Sequence, residues 1–206
     1  MFKKSLIALL MSISLSSINA YAFNESSKND THTIEVADRS AQINAFATYC
    51  ISNDDNNAFN AASDLVSDNW ISSNDSDLIE DKEYRNLIDT YQQIYGDKFV
   101  IYTKKLNKGI VILNVNQEEN KCGPMPMSDT SVDDILKDLK ASNIDPARIN
   151  VNKSEKSTAA FYLYNNTLIR LVSTEFRGEK YLDLSSGSLD KAYSEALRKK
   201  IEKDNE

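Results

Sequence analysis

Two cysteines, Cys50 and Cys122, are the only ones in the chain, and the second sits in the stretch KCGPMPM, Lys121–Met127. No other feature restricts the fold as much. Joining the two sulfurs closes a loop of about 70 residues and ties an upstream helix to a downstream strand. A redox pair of the CxxC type is absent, and a metal site needs more soft ligands than two distant thiols and one histidine supply. A cysteine nucleophile needs a base, yet the single histidine, His32, lies in a polar segment near the start. A structural disulfide is the expected pairing, provided the chain reaches an oxidising compartment. Gly123, Pro124 and Pro126 set a bent, non-helical path just after Cys122.

The opening MFKKSLIALLMSISLSSINAYA has the three parts of a secretory signal. Lys3 and Lys4 give the positive start, Leu6 to Ile18 the apolar and small-residue run, and Ala20-Tyr21-Ala22 the small-x-small cleavage site. The run is short for a bilayer crossing, and no cysteine follows it to take a lipid. Cleavage after Ala22, with Ala20 as the second site, is expected to release a chain that resides in the periplasm or is secreted. No stable membrane insertion follows in this reading. Residues 1–22 are thus read as signal, 23–33 as a flexible leader arm, and 34–203 as one α+β domain.

Charge narrows the partners. The chain holds 24 Lys+Arg against 31 Asp+Glu, a formal charge of -7. Loss of Lys3 and Lys4 with the leader leaves 22 basic against 31 acidic residues, or -9. Phosphate backbones and anionic lipids are repelled by such a surface unless it carries a local basic patch. The basic tail LRKKIEK, Leu197–Lys203, reads instead as favourable cations in the last turn of a helix. Nucleic acid is not an expected partner; a protein is, and no oligomeric state follows.

Periodicity gives the layout. Apolar residues repeat at helical spacing over Ile34–Cys50, again at Phe59, Ala62, Leu65, Val66 and Trp70, and most clearly in EYRNLIDTYQQIY up to Gly96. KFVIYTK and GIVILNV, joined by LNKG, read as a hairpin whose second strand is central and covered on both faces. Asp129 or Thr130 is expected to cap a helix with the stripe Val132, Ile135, Leu136 and Leu139. The stretch from Ser142 to Lys156 reads as a linker or irregular edge. TAAFYLYNNTLIRLVSTEF is a second hairpin turning at Asn165-Asn166, followed by a short strand, Lys180–Leu184. SSGS then introduces a C-terminal helix. The expectation is an α+β fold: N-terminal helices, an antiparallel sheet of about five strands covered by helices, and a C-terminal helix.

Several fragments resemble chemistry without its context. Ser188-Leu189-Asp190-Lys191 is an S-x-x-K, but no K-T-G accompanies it, and Ser188 reads as a helix cap. SNDDNN (Ser52–Asn57) and NDSDLIED (Asn74–Asp81) offer carboxylates of the kind calcium takes, without the glycine and glutamate spacing of an EF-hand. The glycines number only 5, are scattered singly and form no phosphate loop, so no cofactor is expected. No catalytic residue emerges, and the prior tilts from enzyme toward binding. Among the 10 tyrosines, Tyr162 and Tyr164 fall on a hairpin opposite Leu168 and Arg170, and with Arg170 and Arg177 they make the candidate protein-binding surface.

The leader Met1–Ala22, Cys50 at the end of a helix, Trp70, and the Ile110-to-Cys122 strand and bend together resemble small exported bacterial two-cysteine α+β envelope proteins. That group includes uncharacterised envelope proteins and immunity proteins of secreted toxins. The resemblance implies periplasmic life and neutralisation of a toxic enzyme by occlusion, where complementary charge speeds docking. A hydrolase acting on envelope sugars or peptides through paired carboxylates is the reading from another class. A structural or stress-related envelope factor is a third.

Overall fold

The computed structural model describes residues 35–51, 58–153, 157–176 and 178–189, with Leu197, Lys199, Ile201 and Lys203 beyond them. The leader, the arm and the acidic run SNDDNN lie outside the described residues.

Four α-helices between Arg39 and Ala141 form where the sequence shows stripes. Helix α1 (Arg39–Ala45) starts at Asp38, whose carboxylate accepts from the Ala41 N–H, and passes into a π-helical stretch, Phe46–Ile51. Helix α2 is Ala58–Ser67. Helix α3 (Lys82–Tyr95) begins at Asp81, whose side chain satisfies the otherwise unpaired N–H groups of Glu83 and Tyr84, and ends at Gly96. Helix α4 (Val132–Ala141) is capped by Ser131 rather than by Asp129 or Thr130. Ser131 and Asp134 exchange side chain and backbone bonds in a capping box.

One antiparallel sheet organises the rest. Its strands are β1 (Ile71–Ser72), β2 (Val100–Lys105), β3 (Ile110–Asn116), β4 (Lys121–Pro124), β5 (Met127–Ser128), β6 (Ala147–Lys153), β7 (Ser157–Tyr164), β8 (Thr167–Phe176) and β9 (Glu179–Ser188). They line up as β1-β2-β3-β4-β9-β8-β7-β6, with β5 also on β9. The sheet therefore has 9 strands rather than about five. Three of the additional strands, β1, β5 and the four-residue β4, are too short to show an alternating pattern. The fourth, β6, occupies the stretch read as a linker and sits at the sheet edge with a bulge between Arg148 and Asn150. Strand β9 is also longer than expected: Ser185–Ser188 continue it, so SSGS is strand and not the start of a helix. Among the named elements β9 comes last, where SSGS was expected to open a C-terminal helix; Leu197, Lys199, Ile201 and Lys203 beyond it are helical, and the rest of that stripe lies outside the described residues.

Two meanders, β1 to β4 and β6 to β9, meet only where β4 pairs with β9, Lys121 with Gly187 and Cys122 with Ser186. The disulfide is placed at this seam. Cys50 and Cys122 are bonded with their Cα atoms 5.4 Å apart, and the Ser186 hydroxyl lies 2.9 Å from the Cys50 carbonyl and 3.2 Å from that of Cys122. The π-helical end of the first helix is thereby fastened to both meanders. The small α+β body with one disulfide is what the resemblance implies.

Alternation along each strand splits the core into two layers. The larger layer lies under α1, α2 and α4 and contains Phe46, Leu65, Leu113, Val115, Ile135, Ile169, Leu171 and Leu184. The smaller lies under α3 and contains Ile79, Tyr84, Ile88, Ile101, Ile110 and Ile112. Strand β3 feeds both, which is why its residues Ile110 to Asn116 are all buried. Its free edge at Ile110–Ile112 is closed from the N-terminal side. Val36 makes a parallel bridge to Ile110, the Gln42 carboxamide donates to the Ile110 carbonyl, and it accepts from the Ile112 N–H. Gly109 permits this approach: its φ is +83°, and a Cβ there would lie 2.7 Å from both the Ala37 nitrogen and the Glu35 carbonyl oxygen.

Candidate binding surface

The tyrosines and arginines singled out in the sequence do not share a face. The register pairs Tyr162 with Ile169, Tyr164 with Thr167, and Arg170 with Phe161 and Ser185. Because side chains alternate, Tyr162 and Tyr164 turn toward the layer under α1, α2 and α4, and Arg170 turns to the opposite side. Tyr162 is buried, with 5% of its surface exposed, and Tyr164 packs against the same core with its hydroxyl reaching the Asn143 carbonyl. Arg177 lies outside the described residues.

On the side that Arg170 faces, Asp183 of β9 is half-buried. Desolvation raises its pKa above the ordinary carboxylate value, and the charges of Arg170 and Lys121 only partly offset the rise. The Tyr95 hydroxyl of α3 is buried there, and desolvation followed by the Asp183 charge holds its pKa well above that of free tyrosine. Asp183 thus holds its proton more tightly in the folded chain than in the unfolded one. Stability from this group is fully present below the ordinary carboxyl pKa of about 4 and is lost as pH rises through the raised folded value. Asp183→Asn is expected to unfold at higher urea than the parent at pH 7 and to match it at pH 3. Equal stability of the two at both pH values would show that Asp183 ionises freely in the fold.

A groove lies elsewhere, at the β1 edge, where α2 hands over to α3. It is an open depression of about 450 Å³ over the largely covered side chains of Trp70, Ile79 and Tyr84. Leu78 stands on its rim with 80% of its surface exposed. Asp75, Glu80 and Asp81 line the same groove. These residues come from the run NDSDLIED, which forms a 3₁₀ turn, Ser73–Leu78, and the approach to α3.

The frame of the groove is set by hydrogen bonds. Tyr84 donates from its hydroxyl to Thr103, 2.8 Å away, and the Thr103 hydroxyl donates in turn to the Ile71 carbonyl. The Ser72 hydroxyl holds Asp75 at 2.6 Å, and the Ser73 hydroxyl accepts from the Ile101 N–H. The Arg85 guanidinium donates to the carbonyls of Asp77 and Ile79. Trp70 is fixed by an edge contact with Tyr49, 5.2 Å between ring centroids, and Lys104 lies 5.9 Å from its ring. Turn, wall and helix start are therefore tied to one another by these bonds.

The acidic run could be noticed in the sequence, but not the apolar side chains behind it. Trp70 and Tyr84 are brought together only when β1 pairs with β2. Among the described residues no group of three or more His, Cys, Asp or Glu side chains converges as a metal site, and no helix is long and apolar enough to cross a membrane. SNDDNN and Lys191 of the S-x-x-K lie outside the described residues, while Ser188 ends β9 and pairs with Thr167. No family model, curated protein or solved structure matches this chain.

Proposed function

We propose that this chain is a periplasmic, non-enzymatic protein-binding protein that occludes its partner's active site, as an immunity protein does. The observation that carries the reading is Leu78, held four-fifths exposed on the rim of an open, acid-lined depression. A partner that covers Leu78 gains apolar burial. The acidic balance of the chain favours a basic partner and speeds encounter with it. The disulfide across the β4–β9 seam suits a protein that must keep its shape outside the cytosol.

Affinity capture from periplasmic extract tests the proposal, with the mature protein and Leu78→Asp as paired baits. One dominant partner held by the parent and lost by L78D is expected. Because Leu78 is largely exposed, L78D is expected to keep the parent's melting temperature. No partner with either bait, together with turnover of a cell-wall substrate, would replace this reading with the hydrolase.

A further inference from the structure

We infer that the β4–β9 seam gates the Cys50–Cys122 bond: thiol–disulfide exchange reaches the two sulfurs only when β4 and β9 part, so the bond is made before β9 docks and is broken no faster than the seam opens. The inference is independent of what the protein binds. In the closed chain Cys50 and Cys122 are 4% and 3% exposed. Exchange begins with a thiolate attacking one of the two sulfurs to form a mixed disulfide, and that much cover keeps the attacking sulfur out. The cover has two sides. On the helical side, Phe46, Ala47 and Ile51 of the π-helical stretch and Ala58 and Ala61 of α2 are buried in the same core as the two cysteines. On the sheet side, Ser186 of β9 stands beside Cys122, with its hydroxyl 2.9 Å from the Cys50 carbonyl and 3.2 Å from that of Cys122.

The helical side is the costlier one to lift. Phe46 and Ile51, both buried to within 1%, would meet water. The seam is held by less: β4 and β9 share two residue pairs, against eight between β7 and β8 and ten between β8 and β9. Strand β4 can leave β9 while its four pairs with β3 stay in place. Opening of this kind is a local event that costs less than unfolding the chain. Chain order agrees with the direction of closure. Both cysteines precede Ser186, which follows Cys122 by 64 residues, so the strand that shuts the gate is the later one to be made. In formation, the two thiols pass two electrons and two protons to the disulfide of an oxidant, which becomes a dithiol. In reduction, a dithiol supplies both and leaves as its own disulfide.

The test treats the folded, oxidised mature protein with excess dithiothreitol at fixed pH, traps free thiols at intervals with a maleimide and counts them by mass. Reduction in buffer is expected to be at least about a hundredfold slower than in about 8 M urea. Below the unfolding transition it should rise only shallowly with urea, because opening the seam exposes little surface. Ser186→Ala removes the hydroxyl from both carbonyls without adding bulk and should speed reduction about fivefold. Gly123→Ala forces β4 away from the Leu184 carbonyl and should speed it further. Ile88→Val, buried under α3 in the other core layer, lowers the stability of the whole fold and should leave the rate in buffer within about twofold of the parent. Circular dichroism and urea unfolding of each variant establish that it is folded and how much stability it has lost. Equal rates in buffer and in urea would show that the bond lies open. A urea slope matching global unfolding, or acceleration by I88V equal to that by S186A at the same loss of stability, would show that the whole chain must unfold. Unchanged rates in S186A and G123A would place the opening on the helical side. Each of these three results overturns the seam as the gate.

Discussion

Replacing Cys50 and Cys122 together by alanine is expected to lower the unfolding free energy by about 4 kcal/mol, the chain-entropy value for the loop this bond closes. That is a large share of the 5–15 kcal/mol on which a typical domain rests, and it corresponds to a fall in Tm of roughly 10 °C for a chain of this size. The location of the bond sharpens the expectation. Cys122 pairs with Ser186 across the junction of the two meanders, and the Ser186 hydroxyl lies within hydrogen-bond distance of the carbonyls of both half-cystines. Loss of the bond should therefore open the sheet at this junction before its ends. Hydrogen exchange in the double variant is expected to rise first at Cys122→Ala and Ser186, while the β7–β8 hairpin keeps its protection. Urea unfolding that shows a loss under about 1 kcal/mol would mean that the unfolded chain is already held compact without the bond.

Gly123→Ala is expected to cost about 3 kcal/mol, in the upper range for an atom forced into a packed interior. A Cβ at Gly123 would lie 2.3 Å from the Leu184 carbonyl oxygen. The obstacle is backbone, not a side chain that can rotate away, so β4 and β9 must part. The effect falls beside Cys122 and loads the same seam, so the two changes are close enough to couple. In the triple variant the Gly123 cost should shrink, because a seam already loosened yields to the methyl group. Chemical unfolding of the single, double and triple variants gives the coupling directly. A G123A variant within 0.5 kcal/mol of the parent would show that the two strands separate at no cost.

Both results concern KCGPMPM, the stretch that holds Cys122. Its lysine, cysteine and glycine pair with β3 or β9, Pro124 pairs with Leu113, and Met127 pairs with Leu182. Proline breaks the strand into β4 and β5 because it lacks the N–H that a continuous ladder needs. The local rule was legible as a bend. That the bend lies inside a sheet was not, since its two partners are far away along the chain.

The groove shows the same division. NDSDLIED is visible in the sequence as an acidic run without the glycine and glutamate spacing of an EF-hand. Ser72 and the start of α3 claim two of its carboxylates, and Leu78 is turned outward between them. On β7 and β8, Tyr162 and Tyr164 lie on the face opposite to Arg170 for a different reason. The sequence places Tyr162 and Arg170 close together on one hairpin, but the register sets Tyr162 opposite Ile169, and a shift of one residue reverses the face.

From its residues alone the chain disclosed the three N-terminal helices, the helix after the bend, both hairpins, the Asn165-Asn166 turn and the cysteine pair. Each of these depends on short-range periodicity, on turn chemistry or on there being only two thiols to join. Strand number, the continuation of β9 through Ser188, the β4–β9 seam and the depression beside Leu78 emerged only with the folded chain. A two-residue strand has no pattern to read, and a sheet is completed by hydrogen bonds between segments many residues apart, whose pairing no local stretch encodes.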